Sequence, residues 1–479
     1  MIRRFVLFAA VALLCASAQA KINLPSFFSD NMVLQHSCDA AIWGTTDKGA
    51  VKVTVDPSWT KKKFTVTASA DGKWMMRIPT PGPGGPYTIR FSDGDKSSIG
   101  NVLIGEVWYC SGQSNMEMPM KGFRAQPVEG ASKYIIGAKP SKSLRMCTIE
   151  RKVSTVPVEE SKGSWKEHTP EAVAGTSATA YFFATMLQDA LDVPVGILIC
   201  EWGGSTIEAW VKRDILESQF AGEFDLKFLD ENALPEKKPH HAPTAIFNGM
   251  VSPLIPFTFK GILWYQGESN RHREEQYTRL QPAYVKMMRE LFENPDAPFY
   301  FVQIAPYKYG GGDRASSGYF YEAQEKTLSL IPNSGMAATV DIGEFGTIHP
   351  CRKQQVGERL AMLALAKTYG FTGFEAESPS FKSAAFEDGK AVVSFNVGYM
   401  GLSPMGQDLT GFELAGEDRV FHPATGVVKD RVYVEVSSPE VPNPVAVRYC
   451  FKNWCVGTLY NCYGLPVLPF RSDDWEREK

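Results

Sequence analysis

Between residues 103 and 375 the chain repeats a pattern that few folds can accept. Short, nearly unbroken apolar runs of β-forming residues alternate with longer stretches of helical periodicity. The apolar runs are EVWYC (106–110), VGILIC (195–200), GILWYQ (261–266), FYFVQIA (299–305) and MAATVDI (336–342). The helical stretches span 176–191, 276–292, 319–331 and 352–370; in the second, Leu280, Tyr284, Met287, Met288 and Leu291 share one face. A strand apolar on both sides must be covered on both sides. Five such strands between helices predict a parallel sheet inside a three-layer α/β/α sandwich. Right-handed crossovers then bring every C-terminal strand end to one edge, where such sheets carry their sites.

The flanks read differently. Residues 21–102 hold short alternating pieces such as VKVTV (51–55) and YTIRFSD (87–93), separated by DG, DK and PGPGGP turns, which predict a small β-sandwich-like domain. From residue 376 to 479 the β pattern returns in AVVSFNV, RVYVEVSS and VAVRYCF. The expected layout is a signal peptide at 1–20, an N-terminal β domain at 21–102, a catalytic domain at 103–375 and a C-terminal β domain at 376–479. The signal reading rests on Arg3 and Arg4, the apolar run Phe5 to Cys15, and the small residues of Ala18-Gln19-Ala20. It predicts export to the periplasm or medium, with no membrane span left after cleavage. Losing Arg3 and Arg4 leaves 48 basic against 53 acidic residues, with no basic stripe, so nucleic acid is not an expected partner.

Export permits disulfides. Cys110 and Cys200 end apolar runs and read as buried thiols, while Cys450, Cys455 and Cys462 are close enough in sequence for one pair. No Cys-x-x-Cys occurs. His240-His241 sits in a Pro/Lys-rich loop with no third ligand at matching spacing, so no metal is expected.

Four strand ends share the predicted edge. They are Ser111-Gly112-Gln113-Ser114-Asn115, Glu201-Trp202-Gly203-Gly204-Ser205, Gln266-Gly267-Glu268-Ser269-Asn270, and Asp341 followed by Gly346-Thr347-Ile348-His349-Pro350. Taken singly, each is a turn or a cap. Together they gather a hydroxyl, an imidazole, Gly-rich turns, amides and carboxylates, which is the set that acyl transfer needs. A serine hydroxyl becomes a nucleophile when an imidazole takes its proton, a contribution of about 10²–10⁴-fold. Preorganised donors to the tetrahedral oxyanion add roughly 3–4 kcal/mol each. Gly203, Gly204 and the Ser114 backbone N–H are candidate donors, with Gln113, Gln266 and Asn270 as side-chain candidates for the oxyanion or substrate.

The segments GQSNMEMPM, EWGGSTIEAW, FNGMVSPLIPFTFKGILWYQGESN, GTIHP and LYNCYGLPVLPFRSD resemble the sialate O-acetylesterases of the SGNH hydrolase superfamily. The resemblance covers most of the mature chain. It implies a flavodoxin-like catalytic sheet, no cofactor, and acetylated sialic acid or a sialoglycan as substrate. It also implies Ser114 as nucleophile, His349 as base and Gly203 or Gly204 as the glycine donor. Many members of the superfamily place an Asp three residues before the histidine, where this chain has Gly346. The acid partner is therefore open among Asp341, Glu344, Glu268, a backbone carbonyl, or none. Arg352, Arg271 and Arg314 are the basic residues near the motifs that could meet a sialate carboxylate. Acetylxylan is the alternative substrate, and a carbohydrate-binding protein on a degenerate hydrolase scaffold is the alternative of another class.

Overall fold

The computed structural model describes residues 22–47 and 49–476; the expected signal peptide lies outside them. Its centre is a parallel sheet of six strands, here β1 (Lys96–Gly112), β2 (Leu144–Thr148), β3 (Val195–Glu201), β4 (Gly261–Tyr265), β5 (Phe299–Val302) and β6 (Ser334–Ala337). The spatial order is β2-β3-β1-β4-β5-β6, with the short piece Trp165–Lys166 antiparallel at the β2 edge. Every described pairing among the six is parallel. The last strand stops at Ala337, so Asp341 stands in a turn beyond the sheet.

Alternation along the strands sorts the core. Val107, Tyr109, Leu198, Ile262 and Trp264 join one buried cluster. Trp108, Cys110, Ile197, Ile199, Leu263 and Tyr265 join the other. Helices α3 (Glu274–Leu291) and α4 (Ser316–Leu330) cover the first face through Leu280, Tyr284, Met287 and Phe320. Helices α2 (Ala178–Leu191) and α5 (Lys353–Lys367) cover the second through Phe182, Phe183, Val356 and Leu360. This two-sided cover is why the strands read as unbroken apolar runs.

The boundary expected at residues 102 and 103 falls inside β1. The first half of β1 pairs antiparallel with Gly84–Ser92, and Leu103–Gly105 pairs parallel with Val33–Gln35. The second half is the middle of the parallel sheet. Phe27 and Phe28 meet Phe257 with ring centroids 5.7 and 5.8 Å apart, and they share one core with the first helical face. No linker separates the two regions, because one strand belongs to both sheets. At the other end, a seven-stranded antiparallel sheet begins at Ser380 and encloses its own core of Val393, Leu414, Val434 and Val447.

β1 is the switch point: the chain adds β3 on one side of it and β4 on the other. Gly112 pairs with Glu201 of β3 and with Tyr265 of β4. Three strand ends therefore stop level with one another. Gly112 adopts φ +143°, and a side chain there would put Cβ 2.1 Å from the Tyr265 carbonyl oxygen, so only glycine lets the strand leave the sheet at this point.

Candidate active site

Ser114 opens a one-turn helix, α1 (Ser114–Glu117), directly after Gly112 and Gln113, and is half-buried. As a first helical residue its backbone N–H has no acceptor inside the helix. Gln113 is buried. Its carboxamide oxygen accepts from Gly267 N at 3.2 Å and Ser269 N at 3.3 Å, which pins the turn after β4.

Asn115 is the knot of the site. Its Nδ2 donates to Glu268 Oε1 at 2.6 Å and to the Ile348 carbonyl at 3.1 Å. Its Oδ1 accepts from Lys353 Nζ at 2.7 Å, and Lys353 Nζ also reaches the Pro350 carbonyl at 2.8 Å. One buried carboxamide therefore joins the serine turn, the third motif and the histidine loop, leaving Ser114 and His349 each one residue from the same hydrogen bond. No direct hydrogen bond joins Ser114 and His349 among the described residues; such contacts commonly tighten only with substrate in place. Burial pushes the Glu268 carboxyl up and lowers Lys353 to about 7.

His349 Nδ1 stands 2.8 Å from Gln126 Oε1, and Phe123 packs edge-on against the ring at 5.2 Å. A carboxamide oxygen only accepts. With Gln126 in this orientation the proton sits on Nδ1, and Nε2 carries the lone pair that a base requires. Burial, with the Lys353 charge second, lowers the imidazole to about 4. Gln126 has no motif around it and lies 223 residues from His349, so no sequence signal marked it.

The carboxylates expected to orient the imidazole are engaged elsewhere. Both oxygens of buried Asp341 are held by Arg359, at 2.8 and 2.7 Å. Glu344 accepts from Cys351 N at 2.6 Å, and Glu268 faces Asn115. The side chain in hydrogen-bond contact with the imidazole is the neutral amide of Gln126.

The glycine turn divides its two residues. A Cβ on Gly203 would lie 3.4 Å from Ser114 Cβ, which sets this turn against the serine. However, Gly203 N–H donates to Glu117 Oε2 at 2.6 Å and is already committed. The Gly204 N–H has no acceptor among the described residues, and its φ of +77° is one that glycine adopts freely. Gln266 and Asn270, expected as side-chain donors, are both buried and hold each other at 2.7 Å. Gln266 Nε2 also donates to the Ser205 carbonyl, while Asn270 accepts from Ile207 N and donates to Glu208. These bonds brace the second and third motifs against each other.

Beside the glycines, Arg151 is ion-paired with Glu117 at 2.8 Å and Glu201 at 3.1 Å, and burial raises Glu201 to about 7. His240 stacks on Trp202 with ring centroids 5.4 Å apart. Among the described residues no three His, Cys, Asp or Glu side chains cluster as metal ligands.

A hydroxyl, an imidazole and a glycine turn gathered at the switch point of a parallel sheet are the parts of a carboxylic ester hydrolase. Residues 104–366, more than half of the sequence, match the family described as "Carbohydrate esterase, sialic acid-specific acetylesterase", and the chain belongs to that family. Among curated proteins it is similar to the sialate O-acetylesterase of Mus musculus, 29% identical over 428 residues that cover 77% of each chain. The Homo sapiens sialate O-acetylesterase is 29% identical over 402 residues, covering 76% of this chain and 74% of its own. Among solved structures, the carbohydrate acetylesterase XAC1771 of Xanthomonas citri superposes with a TM-score of 0.84 at 34% identity, covering 95% of this chain and all of its own.

Proposed function

We propose that this chain is a serine esterase of the SGNH type that removes O-acetyl groups from sialic acid through an acetyl-enzyme. The observation that carries the reading is the Gln126–His349 contact, which with Gln126 in this orientation leaves the Nε2 lone pair free, on a loop that Asn115 ties to the serine turn. Ser114 Oγ attacks the acetyl carbonyl as its proton passes to His349 Nε2. The oxyanion is met by the N–H groups of Gly204 and Ser114. Collapse expels the sugar oxygen, which takes the proton from His349. Water, activated by the same ring, then attacks the acetyl-enzyme and releases acetate. A neutral amide in place of an acid is compatible with this cycle, because the third group chiefly fixes tautomer and orientation.

The sialate reading asks for a cation at the rim. Arg352 donates to the Asp341 carbonyl, and Arg271 is stacked 3.8 Å over Tyr309 with a bond to Ser316. Arg124 is exposed and lies between Phe123 and Gln126, the two side chains that touch the His349 ring. We assign it the substrate carboxylate, with exposed Arg314 as the comparison. Export to the periplasm or medium belongs to the same reading, on the strength of the leader pattern at 1–20.

Acetate release from O-acetylated sialic acid and from acetylated xylo-oligosaccharide tests the proposal. Faster release from the sialate, abolished by Ser114→Ala, is expected; release from the xylo-oligosaccharide alone would overturn the substrate. Arg124→Ala should raise KM for the sialate about ten-fold, roughly 1.4 kcal/mol, and leave p-nitrophenyl acetate unaffected. An effect from Arg314→Ala instead would move the assignment.

A further inference from the structure

We propose that Cys450 and Cys455 are a disulfide site, oxidised by exchange with a disulfide donor, and that the bridge locks the C-terminal domain onto the rim of the active site. The two sulfur atoms stand 2.9 Å apart, in contact but unbonded. Among the described cysteines no other two are in hydrogen-bond contact; exposed Cys462 instead faces the Met400 carbonyl at 3.1 Å. The surroundings are shaped around the pair. Gly411, at φ +96°, passes so close that a Cβ there would lie 2.5 Å from Cys450 Sγ and 2.9 Å from Cys455 Sγ. Its carbonyl also accepts from Cys450 N at 2.8 Å.

The segment between the cysteines is the clasp between two regions. Asn453 Oδ1 accepts from Ser316 Oγ, Ser317 N and Ser317 Oγ, all at 2.8 to 2.9 Å, and its backbone bonds Arg314 and Tyr307. Trp454 N donates to the Gly312 carbonyl at 2.9 Å, and its ring meets Phe345 edge-on at 5.5 Å. Phe345 is exposed and sits four residues before His349. Closing a ring across 450–455 therefore fixes residues that grip loop 307–317 and touch the histidine loop.

Cys455 is the half-buried member and accepts the Cys450 S–H, which together with Lys452 favours its thiolate. The thiolate attacks one sulfur of the donor disulfide and expels a donor thiolate. Cys450 then loses its proton and attacks Cys455 Sγ, expelling the second. Two protein thiols give up two protons and two electrons, and the donor is reduced to two thiols.

The full chain carrying Cys462→Ser, equilibrated in glutathione disulfide, alkylated and digested with trypsin, tests this by mass spectrometry. Cleavage after Arg448 and Lys452 separates the two cysteines onto peptides 449–452 and 453–471. The expected result is that these peptides are joined, and parted by reductant. Alkylation of both cysteines, or separate glutathione adducts on each, would overturn the site. Amide exchange over 307–317 and 345–349 should be several-fold slower in the oxidised protein. A Cys450→Ser, Cys455→Ser double variant should match the reduced protein in either buffer. Equal exchange in both redox states would overturn the lock.

Discussion

At the residue scale the site rests on a serine, a histidine and an amide. Ser114→Ala and His349→Ala should each lower kcat/KM for p-nitrophenyl acetate on the order of 10⁴-fold with melting temperature little changed, read by steady-state kinetics and calorimetry. Gln126→Ala leaves Nδ1 without its acceptor and the tautomer unassigned, for a loss of about 10–10²-fold. Gln126→Glu sets a negative charge beside the ring and favours the imidazolium. The acid limb of kcat/KM, which follows the neutral ring, should move to higher pH than the wild type's limb near 4. The same depression makes a stability statement. As pH falls from 6.5 to about 4 the unfolded chain binds a proton at this histidine before the folded one does, so His349 draws stability away across that window. Ser114 and His349 stood out in the sequence because each sits in a dense motif, the first directly after β1 and the second in the loop that follows β6. It hid Gln126, whose role depends on a loop path that local pattern does not encode. Gln266 and Asn270 lie in an equally dense motif, but their side chains point into the protein, and spacing alone does not distinguish facing in from facing out.

At the scale of elements, Asn115 holds three segments with one side chain. Asn115→Ala takes the side-chain donor from Glu268 and the Ile348 carbonyl and leaves Lys353 with the Pro350 carbonyl alone, in a buried setting where each unpaired group costs roughly 1–3 kcal/mol. The expected outcome is a lower melting temperature together with a fall in kcat exceeding that in substrate affinity, because the serine turn and the histidine loop lose their common anchor. Lys353→Met should reproduce part of both effects. Five of the six strands of the central sheet were legible because two-sided burial writes an unbroken apolar run; β2 was not, because Arg145 and Thr148 break its short run LRMCT. The end of the last strand was not: MAATVDI continues as apolar chain into a buried turn, and a buried turn and a buried strand look alike in composition.

Across the whole molecule, β1 joins regions that the sequence divides. Its pattern changes along its length, partly exposed where it pairs in the N-terminal sheet and continuously buried where helices cover both faces, so only its second half reads as a strand of the central sheet. A chain begun at residue 103 would lose half of β1, the Val33–Gln35 pairing and the Phe27–Phe257 contact. It should therefore be insoluble or lack a cooperative unfolding transition, as measured by circular dichroism. A folded, active fragment would contradict the shared strand.

The level ends of β1, β3 and β4 constrain how this enzyme can vary over time. Successive strand residues face opposite sides and advance about 3.3 Å, so one added or deleted residue inside β1 would turn its terminal loop over and carry Ser114 away from the neighbouring motifs. A length change in a loop leaves this register intact, whereas one in any of the three strands breaks it.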